Sequence, residues 1–149
     1  MSESAPFVPL QTSHLFVHVT NTDATIEFWC KGLGGELESD EELAAPALDA
    51  MFEREGVRIR DTFIQIGGVR LHTIETLDVP RTFVPPSEKY ALGIGGISFR
   101  VADLEASHAR AEAESRDPTP IFEFSDLEEP VKMFFLNDPD GIRVEMIGA

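Results

Sequence analysis

Alternating apolar and polar residues in the first half of the chain predict a strand, then a helix, then a hairpin. Residues 14–20 (HLFVHVT) are β-branched and aromatic, which is typical of a strand. Residues 24–33 carry apolar side chains at helical spacing. Residues 61–67 and 69–75 flank Gly67–Gly68, and two glycines between alternating segments indicate a hairpin turn.

The same order of elements begins again in the second half. A proline-rich stretch at 79–92 is predicted to be a linker. Residues 94–101 then predict a strand, and residues 103–115 a helix capped by its first aspartate. Residues 131–137 and 142–147 flank a DPDG turn and predict two further strands. Each half therefore contains a strand, a helix and then about three strands.

The two halves also match residue by residue. Residues 14–19 (HLFVHV) and 96–101 (GISFRV) share their apolar alternation. Residues 68–74 (GVRLHTI) and 141–147 (GIRVEMI) have the same Gly, Arg and closing Ile. We interpret this period as an internal duplication of one supersecondary unit.

These observations predict an α+β fold made of tandem βαβββ modules. The first module spans residues 13–78, the linker 79–92 and the second module 93–149. The two modules are expected to form one curved mixed sheet around a concave pocket. A chain of 149 residues fits one compact domain of this kind.

The net charge and the cysteine content limit which binding partners and which cellular compartment are expected. The net charge of −15 opposes binding to nucleic acid and to anionic membranes. A single cysteine, Cys30, excludes an intrachain disulfide and favours a reduced, cytoplasmic setting. Residues 1–12 lack the features of a signal peptide, so none is expected. The acidic residues 36–43 are expected to form a short edge strand that runs into a solvated loop.

Strand alternation places four pseudo-equivalent positions on one concave face. They are occupied by His14, His72, Gly96 and Glu145. Two imidazoles and one carboxylate are a common ligand set for a divalent metal ion such as Zn, Ni, Co or Fe. Three protein ligands leave positions open for water or substrate. We therefore predict that His14, His72 and Glu145 bind a divalent metal ion.

Other residues share these faces by parity. His18 lies four residues beyond His14 on the same face and is a candidate general acid or base, because imidazole titrates near neutral pH. Arg70 and Arg143 are interpreted as neutralising Glu145. Three residues are predicted to contact substrate, namely Phe16, Ser98 and Arg100.

The chain resembles the vicinal oxygen chelate superfamily, which includes glyoxalase I, extradiol dioxygenases and bleomycin- and fosfomycin-resistance proteins. The segment 14–29 (HLFVHVTNTDATIEFW) is similar to the family's opening pattern, and 96–106 (GISFRVADLEA) to its second opening with Gly96 in place of the usual His. Residues 135–147 (FLNDPDGIRVEMI) are similar to its closing signature, with Glu145 at the metal-ligand position. The resemblance also implies a homodimer.

The expected activity follows from a metal that stabilises an enolate. We predict a metal-dependent isomerase, epimerase or lyase that acts on a small oxygenated carbonyl compound, with His18 or Glu145 moving the proton. An Fe(II) dioxygenase uses the same ligand types and is one alternative. Gly96 favours another alternative, a metal-free small-molecule-binding or resistance protein, or a cyclase without a cofactor.

Overall fold

A computed structural model describes residue 9 and residues 11–78, 94–125 and 128–148. The chain divides into two compact units, Met1–Val79 and Pro80–Ala149. Both the predicted linker, 79–92, and most of the N-terminal segment lie outside the described residues.

The first unit is built on a four-stranded mixed sheet, against which α1 packs. Its strands lie in the order β1-β4-β3-β2, with β1 parallel to β4 and the other pairs antiparallel. The N-cap Asn21 accepts a hydrogen bond from the Ala24 amide, which satisfies one donor of the first helical turn. The elements are β1 (Leu15–His18), α1 (Thr22–Ile26) continued by a π-helical segment (Glu27–Gly32), β2 (Glu36–Ala44), α2 (Pro46–Phe52), β3 (Arg58–Ile66) and β4 (Val69–Thr76).

The second unit repeats this arrangement with a shorter outer strand. Its order is β5-β8-β7-β6, again with one parallel pair, β5 and β8. Asp103 caps α3 by accepting from the Ala106 amide. The elements are β5 (Ile97–Arg100), α3 (Leu104–Ala113), β6 (Phe122–Phe124), β7 (Val131–Asn137) and β8 (Arg143–Gly148).

The predicted α+β fold of tandem βαβββ modules is confirmed. The described strands form two four-stranded sheets, one in each unit, and not the single mixed sheet expected from the sequence, because each strand pairs within its own module. In both sheets, alternate side chains are buried between strands and helices, so the intervening side chains lie on the opposite face. The largest buried side chains are Trp29, Ile64 and Leu71 in the first unit and Phe134, Leu136 and Val144 in the second.

The prediction for the acidic stretch 36–43 is confirmed in part: it forms an edge strand, but the expected solvated loop is wrong. These residues belong to a nine-residue strand that pairs with β3 along its length. Arginines on β3 and β4 compensate the negative charges: Glu38 pairs with Arg70 and Asp40 with Arg60, each at 2.7 Å. The sequence could not give the length of the strand because the arginines that compensate its charges lie on other strands.

None of the helices in the described part of the chain is long and apolar enough to span a membrane.

Candidate functional site

Two of the predicted metal ligands lie side by side on the open face of the first sheet. His72 is on β4, and His14 immediately precedes β1, which is the parallel neighbour of β4. The centroids of the two imidazole rings are 5.1 Å apart, at 81° to each other. The phenyl ring of Phe63, which is opposite His72 in the β3–β4 register, stacks on His72 at 4.2 Å and 7°. This stack fixes the plane of the His72 ring.

A carboxylate holds one nitrogen of the His72 ring. Nε2 of His72 lies 2.5 Å from Oδ1 of Asp61, and both side chains are only 16% exposed. Because a carboxylate accepts hydrogen bonds, Nε2 carries the proton and Nδ1 the lone pair in the neutral ring. Nδ1 is buried and has no hydrogen-bond partner within the described part of the chain. The ring therefore presents an unused lone pair beside His14.

Nδ1 of His14 lies 2.9 Å from the Ser13 hydroxyl oxygen, so the Ser13 contact engages Nδ1 and not Nε2 of this ring.

Arg70 covers the other side of the Phe63 ring. Its guanidinium carbon lies 4.0 Å from the ring centroid, and its Nε donates to Glu38 at 2.7 Å. The hydrogen bond from Arg70 lowers the pKa of Glu38. The partner of Arg70 is thus Glu38, and not the predicted Glu145.

The second unit contains a cavity around Glu145. Glu145 lies on β8 between Ser98 of β5 and Phe135 of β7, its two partners in the strand register. The cavity measures about 260 Å³ and is lined by Gly95, Gly96, Ile97, Ser98, Phe135, Arg143 and Glu145. Among the described residues, no side chain makes a hydrogen bond or ion pair with the Glu145 carboxylate.

Arg143 stacks on Phe135 in the same way that Arg70 stacks on Phe63. Its guanidinium carbon lies 4.0 Å from the centroid of the Phe135 ring. The predicted neutralisation of Glu145 by Arg143 is not observed, because no ion pair joins them in the described structure. The reason is that the guanidinium lies over the ring of Phe135.

Gly96 marks a close approach of two strands. A Cβ atom at this position would lie 2.4 Å from the carbonyl oxygen of Arg143 and 3.2 Å from its Cβ. Any side chain would therefore require the backbone to move. In this backbone arrangement, a side chain that could act as a fourth donor does not fit at position 96.

The remaining predicted residues lie at the edges of these arrangements. His18 is four residues beyond His14 on an extended segment, roughly 13 Å away at the rise of a strand, and its ring contacts Phe16 and Phe52. Phe16 is 61% exposed and pairs with His72 in the β1–β4 register. Arg100 is exposed at the end of β5 and does not line the cavity.

Sequence reasoning missed the contribution of Asp61 and left the direction of Phe63 open. The signal was the turn: with only Gly67–Gly68 between the strands, the hairpin register places Phe63 opposite His72. Asp61 then lies one diagonal step from His72 on the same face.

The predicted ligands are divided between the units, with His14 and His72 in the first and Glu145 in the second. Within the described ranges, no group of three or more His, Cys, Asp or Glu side chains is placed to hold a metal ion.

Solved structures with the same fold include several bacterial proteins. A glyoxalase family protein from Bacillus cereus has 15% identity and a TM-score of 0.77, with 98% of each chain covered. One from Enterococcus faecalis has 22% identity and a TM-score of 0.69, covering 93% of this chain and 97% of its own. The fosfomycin resistance protein FosX from Listeria monocytogenes, complexed with Mn(II) and sulfate, has 16% identity and a TM-score of 0.61, covering 95% and 94%.

No protein with a curated functional description matches the chain. A family model does match, over residues 11–146, which is nearly the whole sequence and both βαβββ modules. The chain belongs to the Glyoxalase/Bleomycin resistance protein/Dioxygenase superfamily.

Proposed function

We propose that the protein is a divalent-metal-dependent isomerase, epimerase or lyase that acts on a small oxygenated carbonyl compound. The observation that carries this proposal is the buried lone pair of His72 Nδ1, which has no partner in the described structure and lies in the imidazole ring next to that of His14.

The residues present fit a metal ion at this pair. A buried polar atom without a partner costs about 1–3 kcal/mol, and coordination would offset that cost. Metal-binding histidines usually donate their other ring N–H to a carboxylate, which fixes the ring and raises its basicity. Asp61 accepts from Nε2 of His72 and matches this pattern. Neutral imidazoles suit Zn, Ni, Co or Fe, and the structural neighbour from Listeria was crystallised with Mn(II).

Glu145 is proposed as the third ligand, as the family resemblance implies, and as the residue that moves the proton. Its carboxylate has no competing hydrogen bond or ion pair in the described part of the second unit. When bound, the metal would supply positive charge that stabilises an oxyanion next to the reacting carbon. His18 is less suited to this role for a small substrate, because its strand position separates it from His14 by roughly 13 Å.

Two alternatives depend on the same residues. Two histidines and one carboxylate are also the ligand set of non-haem Fe(II) oxygenases, so bound iron with oxygen consumption would favour a dioxygenase. The closed position at Gly96 favours a metal-free binding protein, since no fourth donor can occur there. The homodimer and the cytoplasmic location remain predictions.

Metal content tests the proposal directly. We expect the purified protein, supplied in turn with Zn(II), Ni(II), Co(II), Fe(II) and Mn(II), to retain one of them at about one ion per chain. His14→Ala and His72→Ala should each lose it, and Glu145→Gln should weaken its retention at least tenfold. His18→Ala is the matched control and should keep the wild-type content. A wild-type protein that retains none of these metals, or a His72→Ala variant that retains as much as wild type, would overturn the proposal.

A further inference from the structure

Arg143 differs from its structural equivalent Arg70 in one respect. Both guanidinium groups lie 4.0 Å from the centroid of a phenyl ring, and both side chains are partly buried. Arg70 donates to Glu38, whereas Arg143 has no hydrogen bond or ion pair with any described residue. The Arg143 side chain is therefore positioned by stacking, and its donors remain unused.

The lengths of the outer strands explain this difference. In the first unit, β2 extends along β3 as far as Gln65, so that Glu38 reaches Arg70. In the second unit, β6 pairs only with residues Val131–Met133 of β7 and ends before the level of Arg143. No acidic side chain from the outer strand compensates the charge of Arg143.

Small residues open a cavity at the unused guanidinium. Gly96 and Ser98 stand where the first unit has His14 and Phe16, and the side-chain hydroxyl of Ser98 has no hydrogen-bond partner in the described structure. The cavity of about 260 Å³ lies below the range of roughly 300–1,000 Å³ that is usual for drug-sized ligands. It suits an organic molecule of a few heavy atoms.

A guanidinium group is a planar fork of donors that matches a carboxylate. Stacking on a ring leaves the edge of the guanidinium available for such a bidentate contact. We propose that the cavity in the second unit is a carboxylate subsite, in which Arg143 and Ser98 bind the carboxylate of a small 2-oxo or 2-hydroxy acid.

Glu145 would face the part of the 2-oxo or 2-hydroxy acid that lies next to its carboxylate. Its carboxylate lines the same cavity, so the carbon or hydroxyl next to the bound carboxylate would lie on its side. The proposal thus names the substrate class of the proposed function and rests on that function for its chemistry. Binding by the second unit alone requires no metal, and can be measured separately.

Pyruvate and hydroxyacetone are suitable probes, because they differ in carrying a carboxylate or a neutral hydroxymethyl group. We expect metal-free full-length protein to bind pyruvate at least tenfold more tightly than hydroxyacetone in an NMR titration. Glu145→Gln should bind pyruvate several-fold more tightly than wild type, because it removes a like charge from the cavity.

Three arginine variants then locate the subsite. Arg143→Met should weaken pyruvate binding at least tenfold, and Arg143→Lys should give an intermediate value because it keeps the charge and loses the fork. Arg70→Met removes the equivalent arginine in the first unit and should stay within twofold of wild type. Circular dichroism should show that each variant retains its fold.

Equal binding of the two probes would overturn the carboxylate subsite, and so would wild-type pyruvate affinity in Arg143→Met or an equal loss in Arg70→Met. Failure of the proposed function has a different signature. A protein that retains no metal ion but binds pyruvate through Arg143 would keep the subsite and lose the metal-dependent reaction.

Discussion

The two units have the same strand order and the same ring-stacked arginine, but they use the central position of the sheet face differently. In the first unit it is occupied by His72, enclosed by Phe63, by the imidazole of His14 and by the carboxylate of Asp61. In the second unit it is occupied by Glu145, which borders a cavity. The two units share one backbone arrangement, and different residues at a few positions leave one sheet face filled and the other open.

Position 96 distinguishes the two units, because glycine stands there in place of the first unit's His14. Replacing this glycine should have the largest effect on stability. We expect Gly96→Ala to lower the free energy of unfolding by about 2–3 kcal/mol, which is typical of an overpacked site, because the new methyl would lie 2.4 Å from the Arg143 carbonyl oxygen. Urea denaturation measures this change.

Gly95→Ala is the control for that substitution, since a Cβ there has no neighbour within 4 Å. If both alanine variants unfold at the same urea concentration, the close approach of β5 and β8 is not what requires glycine at position 96.

Asp61 distinguishes the filled unit from the open one, because Met133 occupies its place in the second unit, opposite Ile147 as Asp61 is opposite Ile74. We expect Asp61→Asn to lower the affinity for the metal ion by roughly 10–100-fold, which is the usual effect of removing a carboxylate that orients a histidine ligand. Competition with a chelator measures the affinity.

Glu41→Gln provides a matched loss of charge, as Glu41 is exposed and lies opposite Asp61 in the β2–β3 register. Its metal affinity should equal that of wild type. An equal loss in the two variants would indicate that Asp61 acts only through net charge.

The ion pairs of the outer strand β2 should make the stability of the first unit depend on pH. This is the smallest of the three expected effects. The hydrogen bond from Arg60 is the main reason that the pKa of Asp40 is lowered in the folded protein. Its contribution to stability is therefore present above the unfolded pKa of about 4 and is lost as the pH falls through the lower folded value.

Replacing Asp40 by Asn should flatten that acid dependence by no more than about 1 kcal/mol, as is usual for an ion pair that solvent still reaches in part. Hydrogen exchange of the β2 amides between pH 5 and pH 3 measures it. Glu36→Gln, on the same strand, should leave the profile unchanged. An Asp40→Asn profile identical to wild type would show that the β2 ion pairs do not stabilise the first sheet.

Most of the fold was predictable from local pattern. Apolar alternation, the Asn21 and Asp103 caps and the glycine turns are local signals, and they correctly predicted both βαβββ modules. The length of the acidic strand β2 was the exception. Its residues Glu38 and Asp40 disfavour a strand by themselves, and the arginines that make it stable lie on β3 and β4.

The sequence indicated which positions to consider for the candidate site, but it did not indicate the contacts between their side chains. The repeat alone drew attention to positions 14, 72, 96 and 145, because side chains alternate along a strand with a strict period of two. Tertiary structure alone decided that Asp61 holds His72, that Phe63 and Phe135 bear stacked arginines, and that Gly96 lies against the Arg143 carbonyl. Cross-strand register and the distance between backbones join residues far apart in the chain. The Gly67–Gly68 turn indicates the β3–β4 register, but side-chain packing in the folded chain decides the contacts themselves.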